Sequence, residues 1–225
     1  MFVALPSRHR RRLRWATPLL VALMCGAYLW IVLLPDDAAW RNALLRWGTL
    51  SGSVTEWRAA LRDERLLTLV TALFMHAGYL HLLGNVLFLL IFGLPTERAI
   101  GPWRQLLLFL GGGALANLAA ALLMGDPARA IIGASGGVSA LIGAYLALYP
   151  GARLGIVLPL GLWLEFIKAP AALLIGLWAL LQLVFTFVGP SFGAVAWWAH
   201  LAGFSVGLVF ALALRPALAR RARGL

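Results

Sequence analysis

The chain has 225 residues, 62% of them hydrophobic and 12% charged, with a mean hydropathy of +0.89. That composition excludes a soluble globular domain and indicates a polytopic membrane protein. The net charge of +11 does not point to nucleic acid, because the basic residues cluster beside apolar stretches, at 8–14 and 215–223, as membrane orientation requires.

Residues 1–14 form a basic tail that suits the cytoplasmic side and anionic lipid, with His9 a solvated member of it. The apolar run 15–34 reaches the ~20 residues needed to span a bilayer and lacks a small-residue cleavage site, so it is expected as a retained first helix. It contains Cys25, the single cysteine, which excludes an intrachain disulfide framework. The segment 36–75 mixes five arginines with five acids and carries Trp40, Trp47 and Trp57; it is expected as an outer loop with short interfacial helices. Further spans are expected at about 80–94, 103–124, 131–149, 171–188 and 197–214. Pro95, Gly125-Asp126-Pro127, Pro150-Gly151 and Gly189-Pro190 separate them.

The expected architecture is therefore an all-α membrane protein, a bundle of six transmembrane helices over 15–215, followed by a basic cytoplasmic tail at 216–225. With both termini cytoplasmic, the inner side carries 13 of the 19 basic residues and, of the acids, only Glu97 and Glu165. The positive-inside rule is then satisfied. Glu97 is expected in a loop charge network with Arg98 or Arg104, and Trp178, Trp197 and Trp198 in an interfacial belt.

Strongly polar groups at membrane depth cost free energy and are functional candidates. Here these are His81, Asn85, Ser135 and His200, and the three expected spans that carry them all run from outside to inside. His81, Ser135 and His200 lie near the N-terminal ends of their spans, at similar depth toward the outer face. Ser135, Ser139 and Gly143 follow an i, i+4, i+8 line, and His200 is followed by Gly203 and Gly207, so two small-residue faces permit close approach of the backbones. A serine beside an imidazole is the nucleophile and base pair of acyl transfer. His81 and Asn85, four apart on one face, and the Ser135 N–H at a helix N-terminus can supply donors to an oxyanion. All eight acids lie in loops or at span ends, so a Ser-His dyad is expected rather than a triad.

Three motifs carry a family resemblance: "GASGG" at 133–137 resembles GxSG, "HAGYLHLLGN" at 76–85 resembles HxxxN with a preceding histidine, and "AHLAGFSVG" at 199–207 resembles AHxxGxxxG. Over roughly 65–214 the chain resembles the rhomboid intramembrane serine proteases. The resemblance implies Ser135 as nucleophile, His200 as general base, and His81 and Asn85 on the oxyanion side. It implies Gly133, Gly136, Gly203 and Gly207 as packing residues near the site, with His76 and Ser139 in supporting places. It further implies substrate access near the fifth helix and the loop 189–197, whose Gly189, Pro190 and Gly193 suit a mobile cap. The sequence departs from the family at Leu67 and Thr68, where many relatives carry Trp-Arg, and at Ser139, where an aromatic ring often lies beneath the catalytic imidazole.

Two other classes are weighed against this one. A transporter would be expected to show broken helices at the midplane, often in related halves, whereas these polar groups gather at one end. A non-cutting relative would bind membrane clients without hydrolysis, and the presence of both Ser135 and His200 argues against it. There is no HExxH sequence and no aspartate pair within spans, so zinc and aspartyl intramembrane chemistries lack their residues. The expected protein is thus a serine endopeptidase without metal or organic cofactor. Its partners are membrane-protein substrates and the bilayer, and its place is an integral, multi-pass position, expected in a bacterial plasma membrane with the active site toward the outer face.

Overall fold

The computed structural model describes residues 14–52, 65–124, 129–160, 163–188 and 196–222. The arginines at 8–12, Trp57, Asp126, the stretch 189–195 and the tail end 223–225, all discussed above, lie outside the described residues.

The elements run α1 (Ala16–Val32), α2 (Asp37–Trp47), β1 (Thr49–Leu50), α3 (Arg65–Thr71), a 3₁₀ turn (Ala72–Phe74), α4 (Tyr79–Ile100), α5 (Pro102–Met124), β2 (Ala130–Ile131), α6 (Ser135–Leu148), β3 (Arg153–Leu160), β4 (Trp163–Pro170), α7 (Ala171–Val188) and α8 (Trp197–Ala222). Four of the described helices are long and apolar enough to cross a membrane: α4, α5, α7 and the Trp197–Arg220 part of α8. The expected spans 15–34 and 131–149 form shorter apolar helices, α1 of 17 residues and α6 of 14.

Pro95 does not act as the breaker expected of it. Helix α4 continues past Pro95 to Ile100, with a π-helical turn at Leu89–Gly93 just ahead of it. Pro95 has no N–H to give to the preceding turn, and a wider turn relieves the contact between its ring and that turn's carbonyl. Helix α8 likewise runs through Pro216 to Ala222, beyond the expected end at 214 and into the expected tail. The third difference is the antiparallel β3–β4 hairpin, which stands where a plain inner loop was expected. Its first strand is an unbroken apolar run from Leu154 to Leu160, so no alternation of period two marks it.

Glu97 does not serve the expected loop network. It is buried, and its carboxyl oxygens accept from the N–H groups of Ala16 (2.9 Å) and Thr17 (3.0 Å) and from the Thr17 hydroxyl (2.6 Å). These are donors of the first turn of α1, which has no earlier carbonyl to bond, so Glu97 caps α1 from a distance of 80 residues. Gln105 Nε2 adds a bond to the same hydroxyl at 2.6 Å.

Helix α6 is central, with nearly every residue from Gly136 to Ala147 buried. It packs on α8 at backbone contact. A Cβ placed on Gly203 would strike the Gly136 carbonyl oxygen, one on Gly207 the Ala140 carbonyl, and one on Gly143 the Phe204 carbonyl. On the α5 side, added Cβ atoms at Gly136 and Gly137 would come within 2.8 Å of Ala116 and of the Phe109 carbonyl. Such separations are open only to residues without a side chain, and they place the N-terminal ends of α6 and α8 side by side.

Candidate active site

The strand–turn segment that delivers Ser135 is strapped to its surroundings by backbone bonds. Ala130 and Ile131 pair with Leu50 and Thr49, the Ser51 N–H donates to the Arg129 carbonyl (3.0 Å), and the Gly133 N–H donates to the Ala72 carbonyl (2.8 Å). Gly133 has a φ of +110° and lies before α6 rather than within a helix contact. Its missing side chain is what admits His81, whose Cε1 and Nε2 lie 2.6 Å from where a Cβ would stand.

His76 completes the strap. It is fully buried, its Nδ1–H donates to the Phe74 carbonyl (3.1 Å), and its Nε2 accepts the Ala134 N–H (3.4 Å). Burial, with His81 nearby, pushes its pKa down to about 4, so the ring stays neutral and able to accept. The rings of His76 and His81 meet edge to face, with centroids 5.0 Å apart.

Ser135 is the first residue of α6, where the N–H groups of the first turn precede any helical acceptor. It shares the lining of two cavities with His81 and His200. One, of about 390 Å³, is bounded also by Asn117, Met124 and Ala199; the other, of about 280 Å³, also by Asn85, Gln182 and Trp197. The four polar residues singled out from the sequence therefore gather at one end of the bundle. Asn85 spends one Nδ2 hydrogen on the His81 carbonyl (2.9 Å), a bond inside its own helix, and has a second to offer.

The sequence reading missed what holds His200. Its Nδ1 lies 2.6 Å from Gln182 Oε1 on α7. An amide oxygen only accepts, so Nδ1 carries the proton and Nε2 keeps its lone pair. Trp178 on α7 stacks on the imidazole at 6.5 Å with the planes 30° apart, and Trp197 meets it at 5.9 Å and 90°. Trp178 and Trp197 thus face the imidazole. Ser139 lies buried beneath Gly203, 3.3 Å from a Cβ placed there, with no ring between α6 and α8 at that point. The signal for Gln182 was a lone amide in an apolar helix, four residues after Trp178 and on the same face.

The Rhomboid domain family matches residues 63–217. Rhomboid-related protein 2 of Mus musculus is 34% identical over 84 residues, 37% of this chain and 27% of that protein. The putative rhomboid protease YdcA of Bacillus subtilis is 32% identical over 95 residues, 42% of this chain and 47% of that protein. Inactive rhomboid protein 1 of Drosophila melanogaster is 35% identical over 85 residues, 38% of this chain and 6% of that protein. The chain spans less than half the length of each of these relatives.

Proposed function

The chain belongs to the rhomboid family, and from that premise we propose that it is an intramembrane serine endopeptidase hydrolysing peptide bonds in or beside the transmembrane segments of membrane proteins. The observation that carries the reading is the gathering of Ser135, His81 and His200 on the same two cavities, with the His200 proton directed to Nδ1. In this mechanism Nε2 takes the Ser135 hydroxyl proton as Oγ attacks the amide carbonyl. The oxyanion is met by the Ser135 N–H and by side-chain donors of His81 and Asn85. His200 then returns the proton to the leaving amine, and a water repeats the sequence on the acyl-enzyme.

The proposal includes six membrane passes, α1 and α6 among them, with both termini cytoplasmic. A 14-residue helix is only ~21 Å long, short of the ~30 Å hydrocarbon core. If its C-terminal end reaches the inner face, Ser135 lies below the outer surface, and irregular backbone at that depth requires burial in protein or a water-filled cavity. The strapped 129–134 segment and the two cavities meet that requirement. A substrate helix must also unwind locally, since its amides are otherwise bonded within the helix.

The test is cleavage of a single-span substrate by the purified full chain in detergent and in liposomes, beside Ser135→Ala and His200→Ala. Wild-type cleavage lost in both variants supports the reading. A folded wild type that binds substrates without cutting any would place it with the non-hydrolysing relatives.

A further inference from the structure

Resting on the protease reading, we infer that Gln182 is a positioning residue for His200, standing where a serine protease triad has its carboxylate. Helix α7 is otherwise directed outward: Leu173, Leu177, Leu180 and Phe187 are exposed, and its buried residues are Ala171, Ile175 and Gln182. A buried primary amide in an apolar helix is costly unless its polar atoms are bonded. Here Oε1 takes the His200 Nδ1–H at 2.6 Å. The bond fixes two things that a general base requires, the tautomer and the ring plane. Rotating the imidazole by half a turn would break it and would turn a C–H toward the amide. Trp178, one helical turn before Gln182, stacks on the ring face, and the Trp197 edge restricts it further. One face of α7 therefore supplies both an acceptor and a wall, and the orientation of the base depends on where that helix sits.

The experiment compares wild type, Gln182→Met, Gln182→Glu and Ser135→Ala on one single-span substrate. It also follows the rate constant of serine modification by a fluorophosphonate. Met keeps the length of the side chain and removes the acceptor; Glu, ionised or not, keeps an acceptor oxygen. Since a positioned base contributes ~10²–10⁴-fold, Gln182→Met is expected to lower kcat by about 10- to 100-fold with KM within about threefold. Labelling should slow by a similar factor, and Gln182→Glu should recover most of both. The labelling rate constant, unlike its amplitude, does not depend on the folded fraction, so partial misfolding leaves the comparison intact. A Gln182→Met rate constant within about threefold of wild type would overturn the inference, as would equal losses in the Met and Glu variants, which would make the role one of shape. Full activity in Ser135→Ala would instead overturn the protease reading, a separate outcome visible in a separate variant.

Discussion

Gly133 and His81 occupy one space between them, and that space decides where the oxyanion side of the site lies. Alanine at 133 is expected to be strained twice over, by a φ of +110° and by a Cβ 2.6 Å from the imidazole. Gly133→Ala should therefore lose about 1–2 kcal/mol of stability and lower kcat at least about 10-fold by displacing His81. Thermal unfolding and kcat measured on one preparation check both, and an unchanged kcat would separate His81 from the chemistry. A second residue gives a pH signature. His76 accepts the Ala134 N–H only while neutral, and its pKa stands near 4 in the folded protein against about 6.5 when exposed. As pH falls from about 6.5 to 4 the unfolded chain takes up a proton that the folded one refuses, so stability falls through that window, by up to about 3 kcal/mol. Above pH 6.5 this contribution is fully present. The slope of thermal midpoint against pH should be shallower in His76→Gln; an unchanged slope would assign the acid sensitivity elsewhere. The glycine motif was legible as a motif, but not the reason for its first glycine, since a run of small residues reads as helix packing until a positive φ is seen.

At the scale of elements, the contact of α6 with α8 was readable because small residues at helical spacing have few uses other than close approach. The consequence for Ser139 follows from the same contact. With the Ser139 Cβ 3.3 Å from where a Cβ on Gly203 would stand, a ring at 139 presses on α8 or displaces Trp178 from the face of His200, in the cavity that Ser139 and Trp178 both line. Ser139→Tyr is thus expected to overpack, costing about 1–3 kcal/mol and reducing activity, as read by unfolding in detergent and by kcat. A gain in activity at unchanged stability would show that the ring missing from α6 had not been replaced from α7. The capping of α1 was not legible, because Glu97 lies beside Arg98 in sequence and its partners are 80 residues away. Truncation in Glu97→Ala leaves three donors without their acceptors and should cost about 2–4 kcal/mol, taking about 1–3 kcal/mol for each charged or buried bond lost and allowing for water to replace part. Glu97→Gln, which keeps one acceptor oxygen, should lose less. Equal stability of Glu97→Ala and wild type would mean that the first turn of α1 is satisfied without it. The β3–β4 hairpin escaped sequence reading for the opposite reason. Its first strand, from Leu154 to Leu160, has too many apolar residues rather than too few, and an unbroken apolar run carries no period.

Across the whole molecule, the hydrogen bonds and cavities sort the helix ends into two groups. Met124 at the end of α5, Arg129, Ser135 and His200 share one cavity and mark one end. The start of α1 bonded to Glu97, Tyr149 bonded to the Pro95 carbonyl (2.9 Å) and Ala171 bonded to the Ala152 carbonyl (2.8 Å) mark the other. Met124 and Arg129, which flank Asp126 in sequence, belong to the end that holds the candidate nucleophile, and the start of α1 to the opposite one. Which end faces the cytoplasm is then a question of charge alone. Arg14 precedes the start of α1, Arg215 and Arg220 lie in the part of α8 farthest from His200, and the other arginines of 8–14 and 215–223 adjoin them in sequence; moving that excess across an energised membrane is opposed by the potential as well as by anionic lipid. Alkaline phosphatase inserted near Asp126 should therefore be active, and a fluorescent protein fused after Leu225 should fluoresce, each in cells expressing the full chain. Both reporters at the reverse sites should be silent. Since the ends are fixed relative to one another by the bonds above, a cytoplasmic signal at Asp126 would invert the whole bundle, place Ser135 on the inner side, and make the positive-inside count at 8–14 and 215–223 the step that failed.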